Sequence, residues 1–186
     1  AAMDPVSSKR AERDLKDLHV HIRQPQFATE YKDGILKTSA GLEIPTQTVI
    51  WVSGICANTI EGFPAESIGH AGRLLTDRFC RVKGVEDVYA IGDVSLVEGD
   101  EEYPLGHPQL AQVAMQQAKT VAKNFKAMLK GKEPKPFRYK NLGVMATIGR
   151  NHAVAEISGN KFGGFPAWAL WLVVHLRSIL GVKNKT

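Results

Sequence analysis

The segment that most constrains the fold of this chain is the apolar run Val88–Ile91, which is followed directly by Gly92 and Asp93. After a loop, residues 109–130 have the spacing of apolar and small residues that predicts a long helix, and the glycine and prolines of 131–136 end it. A strand followed by an acid and then a helix is typical of α/β proteins, which bind ligands at the carboxyl edge of a sheet. The sequence therefore predicts a ligand site at Gly92 and Asp93.

The residues at this point have the chemistry of a cofactor site. Gly92 allows a ligand to approach the backbone closely, and Asp93 offers a carboxylate to a ligand hydroxyl. The first turn of the predicted helix has no charged side chain, so its N–H groups and positive dipole end can face an electron-rich ring edge. Taken alone, a Gly-Asp pair also suits an ordinary turn or helix cap, and the residues leave that alternative open.

Two glutamines lie on the predicted helix one turn apart, Gln112 and Gln116. Neutral amides can hydrogen-bond to the carbonyl oxygens of a quinone without placing a charge in apolar surroundings. The alternative is a pair of solvent-exposed helix glutamines.

Together these segments resemble a known family. Residues 85–94 and the helix that follows are similar to the closing half of the flavin domain in flavoproteins with two dinucleotide-binding domains. The run Ala111-Gln112-x-x-x-Gln116-Gln117 resembles the quinone motif of the type II NADH dehydrogenases, the single-chain NADH:quinone oxidoreductases. The resemblance covers about residues 8–185. It implies an α/β fold, part of the two-dinucleotide-binding-domain flavoprotein architecture, with a small α+β C-terminal region.

The resemblance also implies which residues bind FAD and quinone. Gly92 and Asp93 would contact the ribityl chain of FAD, and Gln112 and Val113 at the helix start would face the flavin ring. Gln112 and Gln116 would contact the quinone. Gly54, after Ser53, matches a family position near the cofactors.

The sequence assigns no catalytic residue firmly. Many family members have a lysine directly before the glycine that corresponds to Gly143, whereas this chain has Leu142 there, which leaves Lys140 as the candidate. His107 and His152 are loop histidines that suit either proton transfer or an ordinary surface position.

No Gly-x-Gly-x-x-Gly fingerprint occurs in the sequence, although such enzymes need two of them for FAD and NADH. We therefore expect a C-terminal part of a longer protein that is inactive and free of FAD by itself. The expected division is the tail of an NADH-binding domain (1–53), the second half of an FAD-binding domain (54–132), and a C-terminal region leading to a membrane anchor (133–186).

Several further elements are predicted from spacing and turn residues. They are a helix at about 8–18 capped by Ser7 or Ser8, a hairpin around Asp33-Gly34 with Glu43–Pro45 after it, strands at Val20–Arg23, Thr48–Val52, Leu74–Leu75, Phe79–Val82, Asp87–Ile91, Val144–Ile148 and Val154–Ile157, and a helix from Pro166.

Composition narrows the function classes. The chain is 44% hydrophobic and 23% charged, with a net charge of +5 concentrated toward the C-terminus. No nucleic-acid-binding motif occurs among the lysines of residues 119–140, so no nucleic-acid partner is predicted. Cys56 and Cys80 lack CxxC spacing and a ligand cluster, which argues against a disulfide, a redox dithiol or a metal site.

The apolar segment 162–180 carries Trp168 and Trp171 three residues apart, which favours an interfacial segment too short to span a bilayer. A buried core helix is the alternative. The resemblance implies a peripheral enzyme on the cytoplasmic face of a membrane, with NADH and a membrane quinone as substrates, and it allows a homodimer. Two other functions stay open: a related flavin reductase, such as a sulfide:quinone or ferredoxin-type reductase, and a non-catalytic fragment that binds a membrane or a partner.

Overall fold

The computed structural model describes residues 3–58 and 61–179. The chain divides into two compact units. The first unit consists of Ala1–Val52 and Leu142–Thr186, and the second unit consists of Ser53–Asn141.

The first unit begins with helix α1, Pro5–Asp17. Its N-cap is Asp4, whose carboxylate accepts a 2.8 Å hydrogen bond from the Val6 N–H. The predicted start near residue 8 was wrong, because Ser7 lies inside the first turn and is buried. Proline at the first helical position has the backbone angle that a helix needs, which favours the earlier start.

A small antiparallel sheet follows α1. It contains β1 (Ala28–Lys32), β2 (Ile35–Thr38) and β3 (Glu43–Pro45), in that order. Asp33 and Gly34 both have positive φ angles and form the two-residue turn between β1 and β2. The predicted hairpin is confirmed.

Two predicted strands of the first unit, Val20–Arg23 and Thr48–Val52, are absent. In the second of them Ile50 is 79% exposed and Val52 is 88% exposed. A strand needs a neighbour to pair its backbone groups, and among the described residues neither segment pairs with one. An apolar sequence alone therefore did not produce a strand.

The C-terminal part of the first unit is an antiparallel sheet with helices packed on it. Its strands are β6 (Val144–Gly149), β7 (His152–Ile157) and β8 (Asn160–Gly163), followed by helix α3 (Phe165–Ile179). Ala153 and Ala155 are fully buried with Ala167 of α3, while α1 also packs against β7. The predicted strands β6 and β7 and the helix are confirmed, and β8 was missed because its exposed polar start hides the alternation.

The second unit has little regular sheet. Strand β4 (Leu74–Thr76) pairs in parallel with β5 (Ser95–Val97), and helix α2 runs from Ala111 to Met128. The strands predicted at Phe79–Val82 and Asp87–Ile91 were wrong, since these segments form only isolated bridges such as Arg81 with Tyr89. Among its described residues, one apolar cluster consists of Leu74, Val82 and Ala90, and another of Cys80, Val113, Val121, Phe137 and Tyr139.

Candidate functional site

Gly92 and Asp93 lie in a single 3-10 turn, Gly92–Val94, directly before β5. Gly92 has a φ of +73°, a conformation that favours glycine, and an added Cβ would lie 3.3 Å from the Ala114 Cβ on α2. The backbone of the turn therefore lies close against the helix. The Asp93 side chain is exposed and available to a ligand.

Two glutamines hold this turn, which we call the Gly92–Asp93 turn. The Gly92 N–H donates a 2.6 Å hydrogen bond to Oε1 of Gln117, which is 1% exposed. Nε2 of Gln109 donates a 3.1 Å hydrogen bond to the Asp93 carbonyl. Gln117 is part of the glutamine motif, but the sequence indicated no role for it, although its helical spacing from Val113 and Val121 places it on the buried face.

Arg73 is a second residue whose role the sequence did not reveal. Its guanidinium is nearly buried and donates hydrogen bonds to the carbonyls of Ser95 and His107. Burial lowers the pKa of Arg73, and the nearby Asp93 charge acts in the opposite direction. Arg73 thus joins the segment after the turn to the loop before α2. Its position next to the apolar pair Leu74-Leu75 was the available signal of burial.

The start of α2 lies beside this turn. Leu110 is its N-cap, no side chain caps it, and its first turn has no acidic residue. The Val113 N–H bonds to the Leu110 carbonyl at 2.9 Å, and the Val113 side chain is buried in the core. Gln112 is half-buried beside it. An uncapped helix start favours an electron-rich or anionic ligand group.

The amide of Gln116 holds the backbone of Lys140 through two hydrogen bonds. Its Nε2 donates to the Lys140 carbonyl at 2.9 Å, and its Oε1 accepts from the Lys140 N–H at 3.0 Å. The Lys140 residue itself is exposed. The structure therefore brings Gln116 and Lys140, two of the predicted site residues, into direct contact.

The rest of the segment 135–140 is held in the same way. Asn124 donates to the Lys135 carbonyl at 2.8 Å and accepts from the Lys135 N–H at 2.9 Å. The Phe137 N–H bonds to the Arg78 carbonyl, and Nη2 of Arg78 donates to the Phe137 carbonyl at 3.3 Å. This extended segment is therefore bound to α2 and its surroundings by side-chain hydrogen bonds and by one backbone bond, and not as a strand of a sheet.

His107 lies in the core and not at the surface. It is 2% exposed, its Nε2 lies 3.2 Å from Oδ2 of Asp100, and its ring contacts those of Tyr103 and Phe137. Burial lowers its pKa, and Asp100 partly offsets that shift. The surface alternative weighed for His107 was therefore wrong. The other histidine considered, His152, is half-buried with its Nδ1 3.7 Å from Oδ2 of Asp14.

Gly54 and Cys56 are both exposed. Cys80 is a free thiol in the core, and burial raises its pKa to about 11. It therefore stays protonated at neutral pH and is a poor nucleophile. Within residues 3–58 and 61–179, no group of three or more His, Cys, Asp or Glu residues is placed to hold a metal ion.

Helix α3 carries the two tryptophans that suggested a membrane-facing segment. Trp168 and Trp171 are half-buried, whereas Val173 is 63% exposed and Leu176 is 53% exposed. In the described part of the chain, no helix has both the length and the apolar character required to cross a membrane.

Comparisons with known proteins extend this description. The family model of the pyridine nucleotide-disulphide oxidoreductases matches residues 1–118. The type II NADH:quinone oxidoreductase NdhA of Mycobacterium tuberculosis is 34% identical over 98% of this chain and 40% of its own length. The type II NADH:quinone oxidoreductase Ndh of the same organism is 35% identical over 100% of this chain and 42% of its own length. This chain thus spans about two fifths of the length of these curated relatives.

Solved structures support the fold. The NDH2 of Plasmodium falciparum in complex with NADH superimposes with a TM-score of 0.82 over 98% of this chain and 52% of its own, at 16% identity. The sulfide:quinone oxidoreductase of Aquifex aeolicus gives a TM-score of 0.70 over 93% of this chain and 44% of its own, at 12% identity. At such identities these likenesses show the fold alone.

The predicted α/β fold class is confirmed by these matches, and so is the resemblance to the type II NADH dehydrogenases. The family model covers more than half of the residues, including the Gly92–Asp93 turn and the start of α2. The chain belongs to the pyridine nucleotide-disulphide oxidoreductase family.

Proposed function

We propose that this chain is part of an NADH:quinone oxidoreductase, in which it helps to bind FAD and contributes side chains to the quinone site. The observation that carries the proposal is the Gly92–Asp93 turn, held against the uncapped start of α2. The names of the two mycobacterial relatives, which align along almost the whole chain, support this activity.

The residues at the turn suit FAD. Gly92 has no side chain to obstruct a ligand, and the exposed Asp93 carboxylate can accept hydrogen bonds from ribityl hydroxyls. Gln112 and the backbone of Val113 lie at the helix start, where the dipole stabilises negative charge by about 0.3–1 kcal/mol. When bound, FAD supplies the redox chemistry that connects NADH to a quinone.

We propose that Gln112 and Gln116 contact the quinone. Gln116 uses one N–H of its amide and its oxygen to hold Lys140, and its second N–H can still donate to a carbonyl oxygen. The exposed Lys140 remains the candidate for a catalytic side chain, and Gly54 the candidate for a backbone contact near the cofactors.

Other proposals concern the whole protein. We propose the tail of an NADH-binding domain at residues 1–53, half of an FAD-binding domain at 54–132, and a C-terminal region from 133 onward. The exposed apolar side chains of α3 support attachment to a membrane surface, which we place at the cytoplasmic face. Homodimer formation belongs to the same proposal, and sedimentation of the whole protein tests it.

Flavin content tests the first part of the proposal. In the whole protein, Asp93→Ala should release FAD, because losing a charged acceptor costs roughly 1.5–3 kcal/mol. Glu98→Ala is the matched control, since Glu98 is an exposed acid in the same unit, five residues away. Visible absorbance after dilution measures bound flavin. Full retention of FAD by Asp93→Ala would refute the assignment of Asp93.

Stopped-flow kinetics test the quinone contact. Gln112→Leu should slow oxidation of the reduced enzyme by quinone and leave reduction by NADH nearly unchanged, because the amide serves the second half-reaction. Lys119→Leu, an exposed substitution on the same helix, is the control. An equal loss in both half-reactions would show that Gln112 has a structural role instead.

A further inference from the structure

Gln117 has a buried side-chain amide and is not among the residues proposed to contact FAD or the quinone. It lies on the face of α2 that packs inward, among Val113, Val121 and Asn124. Polar side chains on such a face cost free energy unless they form hydrogen bonds. Gln117 meets this requirement by accepting the Gly92 N–H at 2.6 Å.

The partner of Gln117 is the residue before Asp93. The Gly92 backbone has a φ of +73°, and the first turns of α2 are so close that a Cβ on Gly92 would press on Ala114. On the other side of the turn, Gln109 donates to the Asp93 carbonyl at 3.1 Å. The two glutamines thus fix the turn from both its N–H side and its carbonyl side.

We propose that Gln117 is a positioning residue for cofactor binding, which acts through Gly92 on the Asp93 carboxylate. This inference rests on the proposed FAD function of the turn. Gln117 itself touches no ligand: its oxygen is occupied by Gly92, and its side chain is buried. Without this acceptor, the Gly92 N–H would lose its partner and the turn would lose its fixed distance from the start of α2.

The experiment compares variants of the whole protein by FAD affinity and by thermal stability. Gln117→Met keeps the shape of the side chain and removes the acceptor, and should weaken FAD binding about tenfold. Gln117→Glu keeps the shape of the side chain and an oxygen acceptor. Unlike Gln117→Met, it should keep the FAD affinity within about threefold of the parent. The rescue separates positioning from a general loss of packing.

Asn124→Leu is the matched control. Asn124 is a buried amide on the same helix face, two turns further along, and it also binds backbone groups. Its replacement should lower thermal stability about as much as Gln117→Met and leave the FAD affinity unchanged. If Asn124→Leu weakens FAD binding as much as Gln117→Met does, the role of Gln117 is structural and the proposal is overturned.

Gln109→Met covers the case in which Gln117→Met does not fold. It removes the longer of the two glutamine hydrogen bonds to the Gly92–Asp93 turn and should weaken FAD binding about threefold. Unchanged affinity in the variant that folds overturns the positioning role alone. A parent protein that binds no FAD overturns the proposed function and this inference with it.

Discussion

In the C-terminal part of the first unit, strands β6, β7 and β8 pair through backbone ladders, whereas in the second unit side chains bind the backbone at several points. The first arrangement is local, since each strand lies next to its neighbour in sequence. The second joins residues far apart, such as Arg73 with Ser95 and Gln116 with Lys140.

This difference indicates which substitutions each unit tolerates. The antiparallel sheet depends on small residues that let α3 approach, such as the fully buried Ala153 and Ala155, and on the absence of a side chain at Gly143, where β7 lies close. The second unit depends on a few polar side chains, because its short strands supply little of the pairing. Truncating those buried polar side chains should therefore lower the free energy of unfolding more than truncating exposed ones.

Arg73→Met should have the largest effect. It removes the guanidinium hydrogen bonds to the Ser95 and His107 carbonyls and should lower the free energy of unfolding of the second unit by about 3–4 kcal/mol. All three tryptophans lie in the first unit, so hydrogen exchange of amides in residues 61–141 is the suitable measurement. A loss below about 1 kcal/mol would contradict the conclusion that buried side-chain hydrogen bonds stabilise the second unit.

Gly143→Ala should destabilise the first unit by about 2–3 kcal/mol. Gly143 has a φ of +110°, and an added Cβ would lie 2.3 Å from the Glu156 carbonyl oxygen on β7. Urea unfolding followed by tryptophan fluorescence measures this change, because Trp168 and Trp171 report on the unit. Gly159→Ala, which also has a positive φ but open space around it, is the control and should cost less.

The stability of the second unit should fall as the pH decreases below the usual His pKa of about 6.5. Burial lowers the pKa of His107 in the folded state, against the effect of Asp100, while Arg73 and Arg78 lower it further. The unfolded chain therefore binds a proton at a higher pH than the folded one, so stability is full above the unfolded pKa and decreases until the folded pKa is reached. One proton gives at most about 1.4 kcal/mol per pH unit.

His107→Phe tests this assignment. The phenyl ring keeps the aromatic contacts with Tyr103 and Phe137 and removes the titrating group. The free energy of unfolding of the second unit, obtained from amide exchange between about pH 7.5 and about pH 5, should depend less on pH in the variant. The same dependence in both proteins would assign the titration to another residue.

Lys83→Ala should have the smallest effect, less than about 0.5 kcal/mol. Its Nζ lies 3.2 Å from Oε2 of Glu98, but both side chains are about half exposed and solvent screens the pair. Hydrogen exchange of the second unit should show no resolvable change. A loss comparable with that of Arg73→Met would remove the distinction between buried and exposed polar contacts.

Local chemistry in the sequence was sufficient for several features. Asp33-Gly34 determined a hairpin because both residues accept positive φ angles, and the periodicity of residues 109–130 determined α2 to within two residues at each end. The family resemblance followed from the run around Gly92-Asp93 and the glutamines of α2, and it proved correct. The roles of Gln112, Gln116, Lys140 and Gly54 stay predictions.

Only the tertiary structure decided which apolar runs became strands and which polar residues became buried. Val88–Ile91 has a strand-like sequence but forms little more than an isolated bridge. A strand forms only where another segment of the chain pairs with it, and the local sequence does not show whether such a segment is present. Arg73, His107 and Gln117 look like ordinary polar residues in the sequence. Each is buried because its partners, 7 to 34 residues away, supply the hydrogen bonds that offset the cost of leaving water.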